Sequence, residues 1–478
     1  MNRSIRIGSI FSLILILALL LNVTWVQAFN EEKYAQNPLN QRALIKMKET
    51  ERGQINAGGQ IMAQSVQGQD GLYTRTYPTM PISFAPVIGY LSDQYGAAGL
   101  EQGFNAQLNG DTTSLLNSRF LDTGTEQRKG DSIELTLDPQ TQATAYEALA
   151  NNGYEGAAVA IRPSTGEVVA MASTPSYDPN SIANPETAES AWAAVNNDPG
   201  RPLLNHATQE QLPPGSIFKI ITTAAGLEAG YTPDSQLTGA ASITLPGTTT
   251  ELTNYAGQPC AGGGQVSLET AFALSCNTAF VEMGVEVGAD QLRQTAEAFG
   301  VGESYDMGLP TAAGSMGELP DDAATAQSSI GQRDVTMTAL QAAIMGATVA
   351  NEGRRMEPYV VSRVLGPNLE ERSKKSPKEI TQAVTPEQAA TLTDLMYASE
   401  RNTAGYNGNN YASKTGTAEH ADGVAPHVWY VAFDPDKDVA VAVVVKNGGG
   451  FGSSATGGQV AAPIGRTILN VAPAGGEG

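Results

Sequence analysis

A serine and a lysine stand three positions apart in an otherwise apolar segment. Ser216 and Lys219 lie within residues 213–230, which read PPGSIFKIITTAAGLEAG. The prolines at its start and Gly230 at its end favour a helix, and residues three apart share one helix face. Because burial disfavours the charged form of a lysine, its neutral amine can act as a base for the serine hydroxyl. The alternative is a capping serine beside a lysine whose ammonium reaches solvent.

Two further short motifs follow along the chain. The segment ALSCNTAF supplies Ser275 and Asn277, a serine and an amide two positions apart. The segment ASKTGTAEH supplies a lysine, two threonines and a glycine directly before an apolar hairpin. These four residues are Lys414, Thr415, Gly416 and Thr417. Each motif is common by itself, but their occurrence in the order SxxK, SxN, KTG argues against coincidence.

Hairpins and helices must position these motifs. Residues 157–173 and 427–447 each read as two apolar strands around a short turn. Residues 338–353 form a helical pattern that ends at a glycine, and residues 457–473 form a final one. Strands near both ends of this region, with helices between them, predict an antiparallel sheet flanked by helices. The fold class is therefore α+β.

The N-terminus predicts a membrane anchor. Arg3 and Arg6 precede an apolar stretch of about 20 residues, enough to cross a bilayer core. Positive charge before the stretch and acidic residues after it predict that the N-terminus stays in the cytoplasm and the rest lies outside. A cleaved signal peptide is the alternative, since residues 26–28 read VQA. We expect retention, because the apolar run is longer than the usual core of a signal peptide.

Composition excludes several classes of function. The chain of 478 residues carries a net charge of −21, which repels phosphate and argues against nucleic-acid binding. Its three histidines, His206, His420 and His427, are too scattered to suggest metal ligands, and the cysteine spacing suggests none. We therefore expect neither a metal nor another cofactor.

With these motifs in place, the sequence resembles a class B penicillin-binding protein, a membrane-anchored peptidoglycan D,D-transpeptidase. The short N-terminal region, with ERGQI at 51–55 and GLE at 99–101, is most similar to the small division-associated actinobacterial type. The resemblance implies the penicillin-binding transpeptidase (serine β-lactamase-like) fold with a helical subdomain and a small extended N-terminal module. It also implies a division of the chain into a cytoplasmic segment (1–6), a transmembrane anchor (7–28), a non-catalytic module (29–135), a transpeptidase domain (136–471) and a flexible tail (472–478).

The resemblance also assigns a role to each motif. Ser216 is expected to attack the penultimate D-alanine carbonyl of a stem pentapeptide, with Lys219 as general base. Ser275 is expected to relay a proton toward the departing D-alanine near Lys219 and Lys414, while Asn277 holds the peptide amide. Lys414, Thr415 and Thr417 are expected to receive the terminal carboxylate, and Gly416 is expected to permit close approach of the strand to the substrate. Backbone N–H groups of Ser216 and Thr417 would form the oxyanion hole, and β-lactams would mimic the donor and acylate Ser216.

Other functions share this machinery. A class A β-lactamase hydrolyses its acyl-enzyme with a glutamate four residues before an asparagine, a pattern absent from residues 278–413. A D,D-carboxypeptidase differs only in using water as the acceptor, so the motifs leave it open. A non-catalytic penicillin-binding scaffold or a β-lactam sensor is the alternative of another class. The intact motifs weigh against the scaffold, and the roughly six residues before the apolar stretch weigh against a sensor with a cytoplasmic signalling domain.

The resemblance further implies partners in the membrane. The sequence contains no recognisable glycan-polymerising domain, so we expect it to work beside a polytopic glycosyltransferase and other division or elongation proteins. The membrane helix and the N-terminal module would supply the docking surfaces.

Two cysteines flank the second motif. Cys276 lies between Ser275 and Asn277, and Cys260 precedes it across a glycine-rich turn and a short helix. Such a segment can fold back and bring the two residues within disulfide range, and an exported compartment permits oxidation. We expect a Cys260–Cys276 disulfide that stiffens this loop. The alternative is two free buried thiols.

Overall fold

The computed structural model describes residues 3–29, 48–111, 129–419 and 423–475. The remaining residues lie outside it, including His420 and parts of the predicted cytoplasmic segment, N-terminal module and tail. The helices, in chain order, are α1 (Arg3–Phe29), α2 (Pro81–Ile88), α3 (Gly99–Gly103), α4 (Asn105–Leu108), α5 (Pro139–Ala150), α6 (Pro179–Ala183), α7 (Ala188–Asn196), α8 (Lys219–Glu228), α9 (Leu268–Ala273), α10 (Asn277–Val287), α11 (Ala289–Ala298), α12 (Asp322–Ser328), α13 (Ala339–Ala350), α14 (Pro386–Arg401) and α15 (Gly457–Val471). The strands are β1 (Ile55–Ala57), β2 (Gln60–Gln67), β3 (Tyr73–Thr76), β4 (Leu91–Ser92), β5 (Gly96–Ala97), β6 (Ser132–Leu135), β7 (Gly156–Ile161), β8 (Val168–Thr174), β9 (Gln236–Thr238), β10 (Ser242–Thr244), β11 (Glu251–Thr253), β12 (Gln265–Ser267), β13 (Arg354–Met356), β14 (Val361–Leu365), β15 (Glu371–Lys374), β16 (Glu379–Gln382), β17 (Ala412–Ala418), β18 (His427–Asp434) and β19 (Val439–Val445).

Helix α1 is a candidate membrane anchor. Its residues Ile5–Trp25 have a mean hydropathy of 2.4, and α1 is the one helix in the described ranges that is long and apolar enough to span a bilayer. At about 1.5 Å per residue, such a helix matches the roughly 30 Å thickness of a hydrocarbon core. The predicted apolar segment is therefore a continuous helix.

A five-stranded antiparallel sheet forms the centre of the catalytic region, in the order β17-β18-β19-β7-β8. The two predicted hairpins are its pairs β7–β8 and β18–β19. These four strands are buried along their whole length, because α13 packs on one face of the sheet and α5 and α15 pack on the other. Coverage of both faces explains why the strands read as continuous apolar runs.

A second, six-stranded sheet has the order β15-β14-β6-β1-β2-β3. Strands β14 and β15 come from residues 361–374, within the predicted transpeptidase domain, yet β14 pairs with β6 of the predicted N-terminal module, and β15 pairs with β14. Strands that pair across more than 200 residues leave no local pattern in the sequence, so the pairing of β14 with β6 was not predicted. The predicted domain boundary at residue 135 remains a prediction.

A buried group of charges stabilises the N-terminal module. The Glu101 carboxylate is fully buried and accepts hydrogen bonds from Arg52 Nε at 2.7 Å and Arg75 Nε at 2.6 Å. Arg52 also donates to Asn105 Oδ1 at 2.8 Å. Two positive partners for one carboxylate offset the cost of removing these charges from water. The triad explains the ERGQI and GLE segments in structural terms.

Candidate active site

Ser216 lies in a tight turn before α8. Residues Gly215–Phe218 form a 3-10 helix, and the α-helix begins at Lys219 rather than at the prolines. Gly215 has φ +54°, and a Cβ there would lie 2.8 Å from the Thr417 carbonyl oxygen. The predicted single helix is therefore a 3-10 turn that leads into an α-helix, because the turn is pressed against β17. Side chains three apart still align in a 3-10 turn.

Lys219 is fully buried and points at the second motif. Its Nζ donates to the Ser275 carbonyl oxygen at 2.8 Å, to Ser275 Oγ at 3.2 Å and to Asn277 Oδ1 at 2.7 Å. The half-buried Ser216 hydroxyl has no hydrogen-bond partner in the described ranges. The lysine is thus held by the SxN motif, and the Ser216 hydroxyl is left available to a substrate.

Ser275 connects the two lysines. Lys414 Nζ donates to Ser275 Oγ at 2.9 Å, so this hydroxyl contacts both ammonium groups. Ser275 has φ +60°, a left-handed conformation that is uncommon for residues other than glycine. The conformation occurs in the turn between α9 and α10, where it directs both the carbonyl and the hydroxyl of Ser275 toward Lys219.

Burial lowers the pKa of both lysines and so favours the neutral amine that can act as a base. It lowers the pKa of Lys219 well below its usual value, and the nearby Lys414 charge lowers that pKa further. Burial also lowers the pKa of Lys414, to about 7. The lysines lie over aromatic rings, with Lys219 Nζ 5.3 Å from the Phe280 centroid and Lys414 Nζ 5.7 Å from the Phe272 centroid. A neutral amine is therefore accessible near neutral pH at this site.

Strand β17 brings the third motif beside the first. Lys414 is fully buried, and Thr415 and Thr417 are half-buried. A Cβ at Gly416 would lie 2.8 Å from the Pro214 carbonyl oxygen. The structure therefore gives the glycine a reason beyond the predicted approach of a substrate: it lets β17 contact the segment that carries Ser216.

The two cysteines form a disulfide in the structure. Cys260 and Cys276 are joined, with their Cα atoms 5.7 Å apart, and both are buried. Cys276 immediately precedes α10 and lies between the two residues of the SxN motif. The bridge ties this motif to the segment between β11 and β12.

Two residues that shape the site, Asn254 and Trp429, were not predicted as site residues from the sequence. Asn254 donates through its side chain to the Ala240 carbonyl at 2.9 Å and accepts from the Thr278 N–H at 3.1 Å, so it ties the start of α10 to the loop after β9. Trp429, on β18, donates from its indole N–H to the Pro213 carbonyl at 2.9 Å. A tryptophan on the strand paired with the KTG motif was the one available clue to this contact.

The two histidines that the structure describes, His206 and His427, are each hydrogen-bonded to a neighbouring group of the protein. His206 Nδ1 lies 2.6 Å from Glu210 Oε2, and His427 Nδ1 accepts from the Asn447 N–H at 3.2 Å. Within the described ranges no group of three or more His, Cys, Asp or Glu side chains could hold a metal ion.

A family model for the penicillin binding protein transpeptidase domain matches residues 156–470, which span all three motifs. The chain belongs to this family. A second model, for the penicillin binding protein A dimerisation domain, matches residues 52–133.

This penicillin-binding protein is similar over its whole length to curated relatives. It is 46% identical to the peptidoglycan D,D-transpeptidase PbpA of Mycolicibacterium smegmatis, over 99% of both chains. It is 44% identical to PbpA of Mycobacterium tuberculosis, again over 99% of both chains. The predicted class B family is confirmed.

Solved structures agree. The ceftriaxone acyl-enzyme complex of penicillin-binding protein A from M. tuberculosis matches with a TM-score of 0.85 and 43% identity, over 90% of this chain and 99% of that one. Its penicillin G acyl-enzyme complex matches with a TM-score of 0.84 and 43% identity, over 88% and 99%. The predicted α+β transpeptidase fold is confirmed.

Proposed function

We propose that this chain is a serine-type peptidoglycan D,D-transpeptidase that forms an acyl-enzyme at Ser216 and is inhibited covalently by β-lactams. The observation that carries the proposal is the convergence of two buried lysines, Lys219 and Lys414, on Ser275 Oγ. The full-length similarity to PbpA proteins named as D,D-transpeptidases supports the same chemistry.

Acylation begins at the free hydroxyl of Ser216. Its oxygen attacks the penultimate D-alanine carbonyl, and its proton passes to the neutral amine of Lys219. The tetrahedral intermediate collapses as the C–N bond to the terminal D-alanine breaks. Ser275, in contact with both lysines, delivers a proton to that leaving amine and takes up the proton held by Lys219, which restores the neutral amine. The amine of a neighbouring stem then attacks the ester and loses a proton to Lys219, which passes it to the departing Ser216 oxygen and so completes the cross-link.

The remaining motif residues hold the donor. Lys414, Thr415 and Thr417 receive the terminal carboxylate through charge and hydroxyl donors. The backbone N–H groups of Ser216 and Thr417 stabilise the oxyanion. Asn277 holds the peptide amide, and its own Nδ2 donates to the Thr253 carbonyl at 3.0 Å, which fixes its orientation.

The catalytic domain lies outside the cytoplasm in this proposal, and the chain crosses the membrane once with its N-terminus inside. Two features support this orientation. Arg3 and Arg6 lie at the start of α1, as expected of a cytoplasmic end. The Cys260–Cys276 bridge suits an oxidising compartment. The protein would then serve wall synthesis at division or growth, beside a polytopic glycosyltransferase and other division or elongation proteins. Co-purification of the full chain from membranes tests that association.

Two measurements test the enzyme assignment. A fluorescent penicillin should label the full-length protein at one site per chain, and Ser216→Ala should abolish the label while the protein remains folded. A stem pentapeptide supplied with a labelled D-amino acid should exchange its terminal D-alanine for the label. Stoichiometric labelling of Ser216→Ala would refute the nucleophile. Release of D-alanine by hydrolysis alone would assign a carboxypeptidase instead.

A further inference from the structure

A buried carboxylate lies directly behind the KTG strand. Glu400, in the last turn of α14, is 1% exposed. Its Oε2 accepts from the Ser413 hydroxyl and from the Tyr430 hydroxyl, the latter at 3.0 Å. Its Oε1 accepts from Arg466 Nε at 2.8 Å. One carboxylate therefore joins α14, β17, β18 and α15.

The chemistry of this contact is specific. A buried carboxylate is costly unless it is paired and hydrogen-bonded, and Glu400 has one cationic partner and two hydroxyl donors. Arg466 is itself held, since its Nη1 donates to the Ala404 carbonyl at 2.8 Å and its guanidinium lies 5.9 Å from the Tyr430 ring centroid. The group is thus a rigid anchor rather than apolar packing.

The position of Ser413 gives the anchor its consequence. Ser413 immediately precedes Lys414, and successive side chains of a strand point to opposite faces. Glu400 therefore holds the face of β17 opposite the one from which Lys414 reaches Ser275. Among the residues that the structure describes, β17 is the edge strand of its sheet and pairs with β18 alone. Its ladder fixes one side, and Glu400 supplies a second attachment, across the sheet.

We propose that Glu400 is a positioning residue for the substrate carboxylate. By fixing Ser413, it sets the place of β17 so that Lys414, Thr415 and Thr417 meet the carboxylate of the donor or of a β-lactam. The inference rests on the proposed function and adds to it a residue outside the three motifs.

A pair of acylating agents that differ only in the carboxylate tests this role. The second-order acylation constant is measured with penicillin G and with its methyl ester, and their ratio reports recognition of the carboxylate. We expect the wild type to prefer penicillin G by about ten- to a hundredfold, the range of a hydrogen bond to a charged group. Because each constant comes from a rate, the ratio does not depend on the fraction of protein that is active.

The test variants are Glu400→Gln, which keeps the shape but removes the charge, and Ser413→Ala, which removes only the link to β17. Each should lower the preference by about tenfold, mostly by slowing penicillin G, since misplacing a binding group costs rate steeply. The double variant should do little more than either change alone, because both act through one contact.

A matched control is Glu210→Gln. Glu210 is another buried carboxylate of the same domain, and it accepts from His206 Nδ1 at 2.6 Å and from Lys446 Nζ at 3.0 Å without contacting β17. Its preference ratio should match the wild type even if its melting temperature falls.

The outcomes separate the two levels of inference. An unchanged ratio in Glu400→Gln and Ser413→Ala, with acylation of the wild type intact, overturns the positioning role and leaves the proposed function standing. An equal fall of both constants shows that Glu400 affects acylation without acting on recognition of the carboxylate, and it overturns the role as well. No acylation of the wild type by penicillin G overturns the proposed function and this inference together.

Discussion

Replacing Lys414 by glutamine should move the pH dependence of acylation to higher pH. Only the neutral amine of Lys219 can accept the proton of the Ser216 hydroxyl, so acylation falls as pH drops through the pKa of Lys219. Burial lowers this pKa, and the positive charge of Lys414 lowers it further. Because the pKa of Lys414 is about 7, Lys414 carries its positive charge below about pH 7. Removing that charge must therefore raise the pKa of Lys219.

The geometry sets the size of the shift. Both ammonium nitrogens lie within hydrogen-bond distance of Ser275 Oγ, at 3.2 and 2.9 Å, so they are at most about 6 Å apart. Two unit charges at that separation repel by about 3 kcal/mol at an effective dielectric constant of about 20. That energy corresponds to about 2 pKa units. The acid limb is the part of the pH–rate profile in which acylation falls as the pH drops. Allowing for relaxation of the site, we expect the midpoint of this limb to move upward by about 1 to 2 pH units.

The assay is the second-order constant for acylation by penicillin G between about pH 4.5 and 9, the range in which lysines with lowered pKa titrate. Lys414→Gln should also lower the plateau, because Lys414 contributes to carboxylate binding, but the midpoint of the limb is read independently of its height. Lys437→Gln is the matched control. Lys437 donates to the Leu469 and Asn470 carbonyls at 2.8 Å, at the turn end of the β18–β19 hairpin, so its profile should overlay the wild type.

Two results would contradict this reasoning. If the scaled profile of Lys414→Gln overlays the wild type, the limb does not report an amine coupled to Lys414. If the limb moves to lower pH, the group that titrates is not a base whose cationic form Lys414 opposes. Thermal melting of both proteins at each pH distinguishes titration from acid unfolding.

Three further predictions concern the residues that bind the substrate carboxylate, the disulfide and the N-terminal module. Thr415→Val should raise the activation free energy of acylation by penicillin G by about 1.5–3 kcal/mol, the value of a hydrogen bond to a charged group. An unchanged rate would show that Lys414 and Thr417 suffice to bind the carboxylate. Reducing the Cys260–Cys276 bridge should slow acylation without unfolding the protein, since it frees the SxN segment; non-reducing mass spectrometry should first give the linked peptide, and two freely alkylated thiols would end the idea. Glu101→Ala leaves two buried guanidinium groups without their carboxylate, so the free energy of unfolding in urea should fall by about 3–5 kcal/mol; wild-type stability would show that the charges are not coupled.

Local patterns in the sequence determined much of this molecule. The apolar helix at the N-terminus, the two hairpins and the helices that flank them follow from periodicity and turn residues, which act over a few positions. The three motifs could be predicted as one site because their order is diagnostic, although no single one of them is. The pairing of Cys260 with Cys276 could be expected because the full sequence contains no other cysteine.

The tertiary structure determined which of the motif residues contact one another. Lys219 contacts Ser275 and Asn277 rather than Ser216, and the Ser275 hydroxyl is shared by two lysines. The sheet that joins residues 361–374 to the N-terminal module is likewise absent from any local pattern. Such contacts join residues far apart along the chain, and their free energy depends on burial and on the partner that each charge meets. Glu400 looks like any glutamate near a helix end in the sequence; only the fold buries it and places it behind Lys414.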